Sequence, residues 1–121
     1  MSDLISIVVP VYRGENSLTE LYLEIKKTAA VNEFKFELIL VDDQSPDQSY
    51  QKILELHNQD SRVKGIRLAQ NFGQQNAIFC GLNYAAGDYI VTMDDDLQHR
   101  PEDIVLLYQK IKEGYDVVYA I

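Results

Sequence analysis

Three consecutive aspartates, Asp94-Asp95-Asp96, followed by Gln98, stand directly after the apolar run Tyr89-Ile90-Val91-Thr92-Met93. In an extended chain residues two apart point to the same side, so Asp94, Asp96 and Gln98 share one face and Asp95 takes the other. Carboxylates held that close repel, and one has its pKa raised unless a cation neutralises the pair. A divalent ion removes that penalty. Oxygen donors select a hard ion, so the pattern predicts Mg²⁺ or Mn²⁺ with coordination places left for phosphate oxygens and water. The competing reading is a solvated acidic loop or the entry to a helix. A second pair, Asp42-Asp43, follows Leu38-Ile39-Leu40-Val41. One of its carboxylates could accept from a ribose hydroxyl or a base N–H, or both could serve a turn and a helix start. Tyr12, after Pro10-Val11, could lay its ring on a base or cover a sheet edge. Arg67 and Arg100 are the cations that could meet phosphates.

These residues need a frame, and the chain alternates strand and helix patterns. That order implies an α/β domain with a mostly parallel sheet and helices on its faces. A first strand is expected over Ile5–Val9, ending at Pro10, apolar enough to be covered on both faces. A helix is expected over Ser17–Ala30, opened by a Ser17/Glu20 capping box, with Leu18, Leu21, Ile25 and Ala29 as its buried stripe. The second strand runs over Phe36–Val41. Ser45-Pro46-Asp47-Gln48 reads as the next helix start, with Tyr50, Ile53, Leu54 and His57 on one face. His57 reads as a partly buried face residue, since nothing near it in sequence completes a site. A short strand follows over Val63–Leu68. A helix over Gln74–Ala86 presents Ala77, Ile78, Gly81, Leu82 and Ala85, and Gly87 suits its C-terminus. The fourth strand, Tyr89–Met93, leads into the aspartates. Pro101 opens a fourth helix that ends at Gly114, and Tyr115–Ile121 reads as a fifth strand. In open sheets of this kind ligands bind beyond the carboxyl ends of the strands. Pro10–Glu15, Asp42–Ser45 and Asp94–His99 therefore converge on one edge.

With 121 residues, 46% hydrophobic and 25% charged, the chain is one domain's worth of material with enough apolar content for a single core. A net charge of −8 argues against a nucleic-acid partner, because an acidic surface repels phosphate backbones. The single cysteine, Cys80, rules out an internal disulfide and a cysteine-based zinc site; it reads as a buried structural thiol. No apolar stretch reaches the roughly 20 residues that span a bilayer, and the N-terminus has no signal-peptide pattern, so the cytoplasm is the expected compartment.

Ile7-Val8-Val9-Pro10-Val11-Tyr12, Leu40-Val41-Asp42-Asp43-Gln44-Ser45-Pro46-Asp47, Asn71-Phe72-Gly73 and Met93-Asp94-Asp95-Asp96-Leu97-Gln98-His99-Arg100-Pro101-Glu102 together resemble the family 2 glycosyltransferases. The last segment is most similar to the branch of dolichyl-phosphate mannose synthases and bacterial polyprenyl-phosphate glycosyltransferases. The resemblance covers nearly the whole chain. It implies the N-terminal, Rossmann-like part of a GT-A fold, residues 1–121 being the nucleotide-sugar-binding portion and a fragment of a larger catalytic domain. It implies a nucleotide-diphosphate sugar as donor and a glycan or polyprenyl phosphate as acceptor. It also implies inversion at the anomeric carbon.

The resemblance further implies roles. Pro10, Tyr12 and Asp43 line the base and ribose pocket, with Val41 adding backbone contact and Glu15 a candidate for the base. Asp94 and Asp96 hold metal and diphosphate, Gln98 adds a metal ligand, and Asp95 departs from the alanine common at that position. Arg13-Gly14 replaces a frequent Asn-Glu, and Gln74 replaces a frequent basic residue. In the family the acceptor side, the catalytic base and any membrane anchor lie further along the chain than Ile121. The 121 residues alone are therefore expected to turn over little or no donor, which a sugar-transfer assay on the purified chain checks. Two other readings are a non-catalytic nucleotide-sugar-binding module and a receiver-like phospho-acceptor domain. The second needs acidic residues after the first strand and a lysine after the fifth, neither of which stands here.

Overall fold

The computed structural model describes residues 3–94. The predicted helix from Pro101 and the predicted strand Tyr115–Ile121 lie outside the described residues. Within them the order is β1 (Leu4–Val11), α1 (Leu18–Asn32), β2 (Lys35–Asp42), α2 (Ser49–Gln59), β3 (Val63–Arg67), α3 (Gln74–Tyr84) and β4 (Tyr89–Thr92). The strands form one parallel sheet in the order β3-β2-β1-β4.

The two inner strands are buried on both faces, which is why they read as unbroken apolar runs. Their side chains alternate. Ile5, Ile7, Val9 and Val11 of β1 and Phe36, Leu38 and Leu40 of β2 pack with Leu18, Leu21, Ile25, Ile53 and Leu56, so α1 and α2 share one face. Val8, Ile39 and Val41 point the other way and meet Ala77 of α3, with Cys80, Leu82 and Ala85 half-buried around them. The predicted α1 stripe is all in the core. β1 leaves through α1 on one face, whereas β4 is reached through α3 on the other. The winding therefore reverses between β1 and β4, the place where open α/β sheets bind ligands.

β1 runs two residues further than expected, through Pro10. Val8 is the last β1 residue paired with β4, and its carbonyl accepts from the Met93 amide at 3.1 Å. Pro10, two residues on, faces that same side past the last pair, so its missing N–H removes no ladder bond.

Several local expectations are corrected. Ser17 is the N-cap of α1, but its side chain makes no capping bond; its Oγ donates to the Gly14 carbonyl at 3.3 Å. α2 begins at Ser49 rather than at Ser45-Pro46, and its buried residues are Ser49, Ile53 and Leu56, leaving Leu54 exposed. His57 donates from Nδ1 to the Val63 carbonyl at 2.6 Å, tying α2 to the start of β3. Cys80 is half-buried rather than buried. α3 stops at Tyr84, and Gly87 does not cap it. Gly87 lies against β1, where a Cβ would stand 2.8 Å from the Leu4 carbonyl oxygen and from the Ser6 nitrogen. Among the described residues no helix is long and apolar enough to cross a membrane.

The spacing of α3 from the sheet depends on Gly81, where a Cβ would stand 2.5 Å from Val8 Cγ1 and 3.1 Å from Val41 Cγ2. Overpacking costs about 1–3 kcal/mol, and the helix-propensity gain of alanine over glycine returns about 1 kcal/mol. Gly81→Ala is therefore expected to lower stability by about 1 kcal/mol net, read as a shifted denaturant midpoint in urea.

Candidate functional site

The rows of side chains that face α3 continue past the core. On β1 the row runs Ser6, Val8, Pro10, Tyr12; on β2 it runs Glu37, Ile39, Val41, Asp43. Alternation thus delivers Pro10, Tyr12 and Asp43 to the same side at the carboxyl ends of the strands. They meet the end of β4 and the loop before α3 in an open cleft of about 400 Å³, lined by Pro10, Val11, Tyr12, Asp43, Asn71, Gly73, Gln74 and Asp94. That volume suits a small ligand.

Each wall is held by specific bonds. Asp43 is almost completely buried. Its Oδ1 accepts from the Phe72 amide at 2.8 Å and its Oδ2 from the Gly73 amide at 3.0 Å, and its own amide donates to the Val11 carbonyl at 2.9 Å. Gly73 has φ 95°, which suits glycine. Asp94, half-buried, accepts from Gln74 Nε2 at 3.0 Å on Oδ1. Tyr12 is 45% exposed, which leaves part of its ring for a flat ligand, and the Arg13 guanidinium stands 5.5 Å from the ring centre.

The backbone after Tyr12 is clamped by the loop that follows β2. Arg13 N donates to Ser45 Oγ at 3.0 Å, Gly14 N to Ser49 Oγ at 2.8 Å, and Glu15 N to Asp47 Oδ2 at 3.4 Å. Glu15 answers by accepting from the Gln48 amide at 3.2 Å. Burial alone would raise the pKa of Asp47; the Ser49 hydroxyl and amide and the Glu15 amide outweigh it and hold the carboxyl below its ordinary value. Sequence reasoning missed this clamp. Ser45, Asp47 and Ser49 carried the signal, but their pattern also fits a local helix start.

Of the predicted site residues, Pro10, Tyr12, Asp43 and Asp94 line the cleft together. Glu15 is not among its lining residues and instead supports the start of α2. Val41 is fully buried under α3. Asp95, Asp96, Gln98 and Arg100 lie outside the described residues. Arg67 is committed elsewhere: its Nη2 donates to Gln44 Oε1 at 2.7 Å, its Nε stands 3.5 Å from Asp42 Oδ2, and its guanidinium lies over the Tyr50 ring. Asp42 is fully buried with that arginine and the Ser45 amide. The acidic pair therefore divides, Asp42 supporting the fold and Asp43 facing the cleft.

The oxygen chemistry of Asp94 suits a hard cation. Among the described residues, no three acidic, histidine or cysteine side chains gather into a metal site.

The Staphylococcus aureus protein TarS, in a crystal structure of its residues 1–349 with UDP-GlcNAc, superposes on this chain with a TM-score of 0.69 at 28% identity, over 93% of this chain and 32% of that one. The fold is thus that of the N-terminal part of a GT-A glycosyltransferase. Residues 6–121 match the model of glycosyl transferase family 2, and the chain belongs to that family. The undecaprenyl-phosphate 4-deoxy-4-formamido-L-arabinose transferase of Proteus mirabilis is 45% identical over 115 residues, 94% of this chain and 35% of that protein. The Bacillus subtilis glycosyltransferase YkcC, itself uncharacterised, is 45% identical over 116 residues, 96% of this chain and 36% of its own length. The chain spans about a third of the length of these relatives.

Proposed function

We propose that this chain forms the donor-binding part of a metal-dependent, inverting glycosyltransferase that moves a sugar from a nucleotide diphosphate to a polyprenyl phosphate. The observation that carries the reading is the convergence of Pro10, Tyr12, Asp43 and Asp94 on one cleft at the β1/β4 reversal point. Tyr12 and Pro10 flank the base, and Asp43 accepts a hydrogen bond from the base or ribose on the lone pairs its two backbone donors leave. Asp94, with Asp96 and Gln98, would hold the cation beside the diphosphate. A divalent cation held there would supply positive charge to the departing diphosphate.

The acceptor class is supported by the similarity to a transferase named for undecaprenyl phosphate. It also fits the chemistry. A phosphate oxygen is already ionised at neutral pH, so its attack on the anomeric carbon asks little of a protein base. The new bond forms on the face opposite the breaking sugar–diphosphate bond, and the nucleoside diphosphate carries away the electron pair.

A thermal-shift panel of UDP, GDP, CDP and dTDP, with and without MnCl₂, tests the reading on the 121-residue chain. A ligand that binds only the folded state raises the melting temperature with concentration. One nucleotide is expected to give a dose-dependent rise that MnCl₂ enlarges. In Asp94→Asn the manganese-dependent part is expected to vanish and the remainder to persist. A flat response to all four nucleotides would refute the proposal.

A further inference from the structure

Gln74 stands where two walls of the cleft meet. Its Nε2 donates to Asp94 Oδ1 at 3.0 Å, and both residues line the cleft. The backbone that launches its side chain is pinned. Gly73, just before it, donates to Asp43 Oδ2 at 3.0 Å and to Asn71 Oδ1 at 3.2 Å. Phe72 donates to Asp43 Oδ1 at 2.8 Å, and its carbonyl accepts from Asn76 Nδ2 at 2.7 Å. Gln74 is the first residue of α3, and the Ala77 amide closes the first turn on the Gly73 carbonyl at 3.1 Å. A continuous set of contacts therefore joins Asp43, on the base side, to Asp94, on the diphosphate side.

We propose that Gln74 is a positioning residue: its neutral amide orients the Asp94 carboxylate for a divalent cation and ties that carboxylate to the loop held by Asp43. The proposal rests on the reading of Asp94 as a cation ligand. A carboxylate at a strand end must be ordered before it can coordinate, and a donor fixed by the fold removes part of that cost in advance. An uncharged donor does this without cancelling the carboxylate charge that attracts the cation. An ammonium at the same place would orient Asp94 too, but it would repel the metal.

This predicts a pattern that a merely structural hydrogen bond does not give. Mn²⁺ is titrated into the 121-residue chain and followed by its electron paramagnetic resonance signal, with UDP, GDP, CDP and dTDP affinities measured in parallel without metal. Gln74→Ala is expected to weaken Mn²⁺ binding about tenfold while leaving metal-free nucleotide affinity within about twofold and the melting temperature unchanged. Gln74→Lys keeps a donor and adds a charge; it is expected to weaken Mn²⁺ at least as much and to tighten metal-free nucleotide diphosphate binding. Equal Mn²⁺ affinity in the wild type and Gln74→Ala overturns the role of Gln74 alone. So does a parallel fall of Mn²⁺ affinity, nucleotide affinity and melting temperature. A wild-type chain that binds nucleotide but no Mn²⁺ overturns the cation reading of Asp94 and this proposal with it. A wild-type chain that binds neither overturns the proposed function as well.

Discussion

Replacing Asp43 by alanine is expected to weaken nucleotide binding about 100-fold, the upper part of the range for losing a hydrogen bond to a charged group. The effect has two sources. One is the acceptor that the side chain offers to the base or ribose. The other is the loop, because the Phe72 and Gly73 amides both donate to this carboxylate and would be left without it. Stability is expected to fall by about 1 kcal/mol, because the two amides are only partly buried and Gly73 keeps Asn71 Oδ1 as an acceptor. Asp42→Ala is the matched control. Asp42 is fully buried beside Arg67 and the Ser45 amide and is not among the residues that line the cleft. It should lose stability while nucleotide affinity, measured at a temperature where the variant is folded, changes little. Calorimetric titration of both variants with the nucleotide that stabilises the wild type checks the pair. Equal affinity losses would mean that Asp43 acts only through the fold.

The division of labour between Asp42 and Asp43 was not legible in the sequence, although their location was. Apolar runs mark the strands because both faces of β1 and β2 are covered, and period-two alternation then fixes which residues after a strand face the same side. The convergence of Tyr12, Asp43 and Asp94 follows from those two facts and was readable. What local pattern cannot reveal is a side chain used at long range. Ser45-Pro46-Asp47-Gln48 has the form of a helix start, yet Ser45, Asp47 and Ser49 serve the amides of Arg13, Gly14 and Glu15. α2 accordingly begins later, at Ser49, and it buries Ser49, Ile53 and Leu56 rather than Leu54. Gly87 has the position of a helix terminator, but close approach to β1 is what requires a glycine there. Glu15 reads from the sequence as a candidate for the base, but it is not among the residues that line the cleft, because its carboxylate accepts from the Gln48 amide at the start of α2. Gln74 stood out only as a change of residue type, and the contact with Asp94 needed coordinates.

The second large effect comes from a carboxylate the sequence hid in an apolar strand. Glu37 is 3% exposed and lies on the α3 face, at the end of the rows opposite the cleft. Its Oε1 accepts from Lys64 Nζ at 2.7 Å, and its Oε2 accepts from Ser6 Oγ and from the Ala86 amide; Ser6 Oγ in turn accepts from the Gly87 amide at 2.8 Å. The cluster thereby fastens the link between α3 and β4 to β1 and β2. Glu37→Ala is expected to cost about 2–4 kcal/mol, since Ser6 and Ala86 lose a buried acceptor. Lys64 adds less, because half of its side chain is exposed and water can take over its charge. The same group predicts an acid limit. Burial pushes the Glu37 pKa up, but the bonds from Lys64, Ser6 and Ala86 outweigh it, so the folded value lies below the ordinary one near 4.5. The unfolded chain then binds the proton more readily than the native one, and stability rises with pH across that interval. The contribution is complete above about pH 4.5 and is lost as pH falls through the lower, folded value. Urea midpoints measured from pH 7 down to 3 should hold steady and then drop in the wild type. The drop should be shallower in Glu37→Ala, with the remainder coming from Asp47 and Asp60, whose carboxyls are also held below their ordinary range. An unchanged slope in that variant would show that the Glu37 cluster does not set the acid limit.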